Sequence, residues 1–172
     1  MQDAAIGIVQ DSENNILWVK RRDVPIWVLP GGGIDPEETP ENAACRELKE
    51  ESGLIVSVIR KAAVYSPINS WTSLTHVFIC KRESGALISS NESEEVAYFP
   101  FASPPSPCFP LHTIWLKEAF INPQVIIHRP LNEFNWWKVG CFFLKHPRIV
   151  LLHLFNVYGR CRGDGHGHEH AP

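Results

Sequence analysis

The chain has 172 residues, 44% of them apolar, which suits one domain with its own core and excludes a disordered chain. Its formal net charge of −3 gives no global basic field to draw it to a nucleic acid polymer, so the expected partner is a small molecule whose charge is met locally.

In chain order, Ala4–Val9 is a short apolar run. Asp11-Ser12-Glu13-Asn14-Asn15 is a turn cluster, and residues 16–19 are apolar again before Lys20-Arg21-Arg22; together these predict a β-hairpin. Trp27-Val28-Leu29 predicts a third strand, ended by Pro30-Gly31-Gly32-Gly33. A helix is expected from the Thr39 cap, with Pro40 at its first position and Glu41 at the positive end of its dipole, running to about Ser52 before the terminator Gly53. Strands follow at residues 54–64, with an irregular turn, at 75–80 and at 96–101. Five prolines in residues 100–110 demand a loop. Leu111, Ile114, Trp115 and Ala119 give the next segment helical spacing.

Past residue 122 the chain is read as an aromatic-rich extension, 123–160, and a His- and Gly-rich flexible tail, 161–172. Trp136, Trp137, Phe142 and Phe143 in the extension predict a helical segment that packs on the core or joins two copies into a homodimer, with peripheral membrane contact as the alternative. His166, His168 and His170 are a mobile tail or, alternatively, imidazoles for a transition metal. Lys145, His146, Pro147 and Arg148 interrupt the longest apolar stretch, so no membrane span is expected. The first five residues lack the pattern of a signal peptide. Cys45, Cys80, Cys108, Cys141 and Cys161 form no CxxC pair, which predicts reduced thiols in a cytoplasmic protein. Strands, a helix, more strands and a second helix make an α/β fold, a mixed sandwich.

The chemistry concentrates in residues 31–54. Glu47, Glu50 and Glu51 stand at i, i+3 and i+4, so their carboxylates share an arc of about 100° on the helix. Ala44, Cys45 and Leu48 form the adjacent face that holds the helix down. Like charges about 4 Å apart repel by about 4 kcal/mol at an effective dielectric near 20, so such a cluster calls for a counter-charge. A hard divalent ion provides one, Mg²⁺ in the first place and Mn²⁺ as the alternative. Arg46 can orient a carboxylate or touch a phosphate, Glu38 can fix Arg46, and Gly31-Gly32-Gly33 lets the backbone approach a metal or phosphate closely. A solvated, salt-bridged helix face is the plainer reading of the acids alone.

The whole arrangement resembles the Nudix box of the Nudix hydrolase (MutT-like) family. Gly32, Glu38, Arg46-Glu47-Leu48, Glu50-Glu51 and Gly53-Leu54 fill every fixed position, and the direct match covers 23 residues, 32 to 54. Glu37 occupies a free position where many relatives carry glycine. The resemblance implies an α/β/α sandwich around a mixed β-sheet over residues 1–122. It implies Glu47, Glu50 and Glu51 as metal ligands with the Gly31 or Gly32 carbonyl nearby, and Arg46 with Glu38 as the orienting pair. It implies attack of water on phosphorus in a nucleoside diphosphate-linked substrate. A further downstream glutamate is implied as ligand or base; of Glu92, Glu94 and Glu95, the reading favours Glu95.

Outside the box, Gly32, Gly33, Arg21 and Arg22 are candidates for phosphate, and Trp27 or Trp71 for stacking on a base, against a charged hairpin surface and buried core tryptophans. Nucleoside triphosphates, including oxidised ones, and ADP-ribose are the expected substrates. The rival reading is a Nudix-like domain that senses a nucleotide without cutting it.

Overall fold

The computed structural model of the protein describes residues 2–67, 74–121 and 123–131. Trp71, the aromatic-rich extension from residue 132 and the His-rich tail lie outside the described residues. The strands are β1 (Ala4–Val9), β2 (Asn15–Arg21), β3 (Trp27–Val28), β4 (Gly31–Gly33), β5 (Leu54–Ser66), β6 (Thr75–Gly85), β7 (Ser93–Pro100) and β8 (Ile127–Pro130). The helices are α1 (Pro40–Ser52) and α2 (Pro110–Ile121). A five-stranded sheet runs in the order β4-β1-β6-β5-β8, and a three-stranded sheet in the order β3-β2-β7. In the first, β1 pairs parallel with β6 and antiparallel with β4. The sheet is therefore mixed, as the family resemblance implies.

Strand alternation makes the sandwich. Successive residues of a strand face opposite sides. Ala5 and Val9 of β1, with Phe78 and Cys80 of β6, meet Ala43, Ala44 and Leu48 of α1. Ile6 and Ile8 of β1, with Val77 and Ile79 of β6, meet Leu111, Trp115, Leu116 and Ala119 of α2. One helix thus covers each face of the five-stranded sheet. Gly7 points to the α1 side, where any side chain would collide with Leu48.

The sequence reading needs three corrections. First, β1 and β2 are joined by the Asp11–Asn15 turn but do not form a hairpin. They belong to different sheets and share only the isolated Gln10–Ile16 bridge, because β1 is taken by β4 and β6 while β2 pairs along its length with β7. Second, Gly31-Gly32-Gly33 does not merely end a strand: it is β4, set antiparallel against Ala4, Ala5 and Ile6. Third, the sheet continues past residue 122, since β8 pairs parallel with Ala63–Ser66 of β5 and Leu131 is buried behind it. The predicted irregularity in β5 is present as register shifts against β6, but the strand runs on unbroken to Ser66. Among the described residues, no helix is long and apolar enough to cross a membrane.

Candidate active site

Helix α1 begins and ends where its local chemistry requires. Asn42 N–H donates to Thr39 Oγ1 at 3.2 Å, Pro40 fills the first position, and Gly53 closes the helix in the left-handed region at φ 74°. Burial of Ala43, Ala44 and Leu48 against the sheet fixes the rotation of the helix about its axis. The arc carrying Glu47, Glu50 and Glu51 then faces β4 and the loop that leads into β7.

Each glycine of β4 meets a different side chain of the helix. Gly31 N–H donates to Glu51 Oε2 at 2.9 Å. A Cβ on Gly32 would stand 2.5 Å from the Glu47 carboxylate, so the bare backbone is what makes room for that group. The Gly33 carbonyl accepts from Arg46 Nη2 at 2.9 Å. Three glycines in a row are poor strand formers, and here they serve contact rather than pairing strength.

Arg46 is the hub. Its Nε and Nη2 donate to the two oxygens of Glu38 at 3.1 and 3.0 Å, and its Nη1 donates to Glu47 at 2.8 Å and Glu50 at 3.3 Å. A planar fork with five donors suits such multiple fixation. Bonding to Glu38 raises the already high pKa of the guanidinium, and the same bond holds the Glu38 carboxyl below its ordinary range. Glu38 also accepts from Asp35 N–H at 3.3 Å, which ties the loop before α1 to the pair.

Glu47, Glu50 and Glu51 line one cavity of about 200 Å³ together with Ser90, Asn91 and Glu92. Burial pushes the Glu51 carboxyl up to about 7, against the opposing bond from Gly31 N–H, and the nearby Glu47 charge adds to the rise. Burial raises Glu47 as well, with Arg46 opposing. Two acids held high in one pocket mark a place that gains from a cation.

The fourth glutamate at this cavity is Glu92, and this corrects the choice of Glu95. Along β7, Ala97 and Phe99 pack on the α2 side while Val96 and Tyr98 pack on the α1 side. Alternation puts Glu95 with Ala97 and Phe99, on the sheet face away from the box carboxylates, where it is exposed and opposite Lys20 in the register. Glu92 precedes the strand and so escapes that alternation. The period-two pattern of Val96, Ala97, Tyr98 and Phe99 was the available signal.

The candidate substrate residues divide. Arg21 donates to both oxygens of Asp23 at 2.8 and 2.7 Å and lies within electrostatic reach of Glu51 and Glu92, so it borders the site. Arg22, expected at a phosphate, is turned instead to the loop before β7, where its Nη2 donates to the Ser90 and Ser93 carbonyls, both at 3.2 Å. Trp27, expected to stack on a base, is only 6% exposed and sits edge-on to Phe99 with ring centroids 4.9 Å apart. Its ring is core, with no free face.

Among the described residues, no three His, Cys, Asp or Glu side chains already converge as a ligand set for one ion. The hydrogen bonds account for this. Arg46 draws Glu47 and Glu50 to itself, and Gly31 holds Glu51. The chemistry of the donors nevertheless fits a hard divalent cation, with four carboxylates around one cavity and a glycine cradle at Glu47 that a Cβ would fill.

Comparison with known proteins gives the family. The model of the NUDIX domain matches residues 1–117. An ADP-ribose pyrophosphatase of Methanocaldococcus jannaschii is 35% identical over 145 residues, covering 80% of this chain and 75% of that protein. A MutT-like protein of Streptomyces ambofaciens is 36% identical over 93 residues, covering 54% of this chain and 59% of its own length. A Bacillus subtilis relative is 49% identical over 61 residues, spanning 36% of this chain and 41% of that protein. Among solved structures, an ADP-ribose pyrophosphatase of Streptococcus suis superposes with a TM-score of 0.61 at 21% identity, covering 75% of this chain and 98% of that one. A NUDIX hydrolase of Nitrosomonas europaea superposes with a TM-score of 0.63 at 24% identity, covering 75% of this chain and 78% of its own. The fold agrees, the box is complete from Gly32 to Leu54, and this chain belongs to the NUDIX family.

Proposed function

We propose that the protein is a divalent-metal-dependent nucleotide pyrophosphohydrolase, with Mg²⁺ as the resident ion and Mn²⁺ as a substitute. In this reading Glu47, Glu50 and Glu51 hold the metal beside the Gly31 carbonyl, and Glu92 completes the acidic lining in place of Glu95. The observation that carries it is the cavity lined by Glu47, Glu50, Glu51 and Glu92, two of whose acids are bonded by Arg46, itself fixed by Glu38.

A divalent cation bound there supplies Lewis acidity for the attack of water on a phosphorus of the substrate. The chain's own residues do the rest. Arg46 fixes the helix face to the Gly33 carbonyl and keeps Glu47 and Glu50 from repelling each other in the absence of a metal. Gly31 donates its N–H to Glu51, and the bare backbone of Gly32 leaves room for the Glu47 carboxylate. Arg21 lies near enough to meet a phosphate on exchange from Asp23.

ADP-ribose and nucleoside triphosphates, including oxidised ones, are the substrate classes proposed. The breadth of the alignment to the Methanocaldococcus ADP-ribose pyrophosphatase favours ADP-ribose. The test is hydrolysis of ADP-ribose and a nucleoside triphosphate panel in Mg²⁺ and in Mn²⁺, by wild type and by Glu50→Gln/Glu51→Gln. The expected result is turnover by wild type and a loss of more than about 100-fold in the variant. A variant that keeps the wild-type rate overturns the site. Tight nucleotide binding by wild type without turnover makes the protein a sensor instead.

A further inference from the structure

The loop before β7 carries Glu92 and is fastened to the box helix by its backbone, not by its acid. Helix α1 ends with carbonyls that no helical N–H can reach. Two of them are taken here: Ile88 N–H of the loop donates to the Ser52 carbonyl at 3.0 Å, and Ser93 Oγ, at the first residue of β7, donates to the Glu51 carbonyl at 2.8 Å. Ser93 is fully buried. Its Oγ also accepts from Ser90 N–H at 2.7 Å, while Ser90 Oγ accepts from the backbone N–H groups of Glu92 and Ser93, each at 3.1 Å.

Arg22 clamps the same turn from outside. Its Nη2 bonds the Ser90 and Ser93 carbonyls, and its own N–H donates to the Glu92 carbonyl at 2.9 Å. Glu92 is therefore bracketed on both sides, while its carboxylate is left for the cavity it lines with Glu47, Glu50 and Glu51. A loop that needed only to close would not require a buried hydroxyl on the main chain of the same residue whose side chain lines the site.

We propose that Ser93 and Arg22 are positioning residues that set Glu92 in register with Glu51, and that divalent-ion affinity depends on this clasp. The proposal rests on the metal-site reading above. Glu51 and Glu92 lie on separate elements, 41 positions apart in sequence. The Ser93 hydroxyl joins them through one hydrogen bond to the main chain of Glu51, so a small displacement of the loop moves Glu92 relative to the box. Groups that orient a ligating side chain without touching the metal contribute about 10- to 100-fold to affinity in comparable sites.

The experiment is titration of the full chain with Mn²⁺ alone, read by electron paramagnetic resonance, with thermal melts run alongside. Ser93→Ala and Arg22→Gln are each expected to weaken Mn²⁺ binding about tenfold. Glu92→Gln should do the same, and adding either clasp substitution to Glu92→Gln should weaken binding no further, since both act through that carboxylate. Arg22 is exposed, so Arg22→Gln keeps the question answerable should Ser93→Ala fail to fold. Wild-type Mn²⁺ affinity in Arg22→Gln and in any folded Ser93→Ala overturns the clasp. So do losses that add fully to that of Glu92→Gln, which mark a general structural effect. If Glu92→Gln binds as wild type while Glu51→Gln does not, the clasp falls and the metal site stands. If Glu51→Gln also binds as wild type, the metal site falls and takes the clasp with it.

Discussion

Beneath α1, the polar groups of the site are paired: Gly31 with Glu51, Gly33 and Glu38 with Arg46, Ser93 with the Glu51 carbonyl, while the buried Nδ1 of His76 on that face has no hydrogen-bond partner among the described residues. Beneath α2, the core cluster buries Trp18 of β2 and Trp115 of α2 itself, at 0% and 6% exposure, with both indole N–H groups unpartnered. An unpaired buried donor is a cost that apolar mass must outweigh. Tyr65 stacks on Trp115 at 5.7 Å and His112 tilts against it at 4.8 Å, so the aromatic weight is concentrated there. One face therefore holds the molecule together and the other arranges charge. Substitutions on the two faces should fail in different ways.

The largest effect is expected beneath α2. Trp115→Ala removes a buried indole from the centre of that cluster and should cost about 3–5 kcal/mol of stability, read as a lower denaturant midpoint. The folded fraction should keep the wild-type kcat and Mn²⁺ affinity. A kcat that falls in proportion in fully folded protein would break the division between the faces.

Gly32→Ala is the opposite probe. The new methyl meets the Glu47 carboxylate, the free end of a flexible side chain, so it displaces the acid more readily than it strains the fold. Hydrolysis should drop about 10- to 100-fold while the melting temperature changes little. A large fall in melting temperature with unchanged kcat would show that Gly32 serves the sheet and not the site.

The same division governs what could be read from the sequence. The box helix was legible to its caps because every signal is local: Thr39, Pro40 and Gly53 act within one turn, and i, i+3, i+4 spacing puts Glu47, Glu50 and Glu51 on one arc. What depended on distant pairing was not legible. Nothing near Ile127 announces that it will lie beside Ala63, and nothing near Val9 says that β1 will pair with β6 rather than with β2. Trp27 became core because Phe99, on another strand, took one side of it. Arg22 reads as a phosphate candidate and Ser93 carries no signal at all, because the partners of both are the main chain of other segments, which side-chain spacing does not encode.

His112 is a titratable group buried beneath α2, and it sharpens the comparison with a pH test. Its Nδ1 accepts from Leu29 N–H at 2.9 Å, and burial pushes its pKa down to about 3 from the ordinary 6.5. The unfolded chain binds a proton that the folded chain refuses between those values, so stability rises with pH through this window and is flat above it. The slope reaches at most about 1.4 kcal/mol per pH unit from this group. His112→Asn keeps an acceptor for Leu29 and cannot titrate. Denaturant melts from pH 4 to pH 7 should show a flatter stability profile in the variant. An identical slope in both proteins would remove His112 from the account.

The smallest effect belongs to the loop that introduces the box. Glu37 has φ 69°, in the left-handed region that disfavours a side chain and favours glycine. Glu37→Gly relieves that conformation but adds freedom to the unfolded chain, so a net gain of roughly 0.5–1 kcal/mol is expected. Arg46 holds Glu38, the following residue, by two hydrogen bonds whether or not position 37 is strained, so kcat and Mn²⁺ affinity should stay at wild type. A gain in stability accompanied by weaker Mn²⁺ binding would mean that the strained turn at Glu37 helps aim Glu38 at Arg46, and the polar face would then begin one residue earlier than its hydrogen bonds indicate.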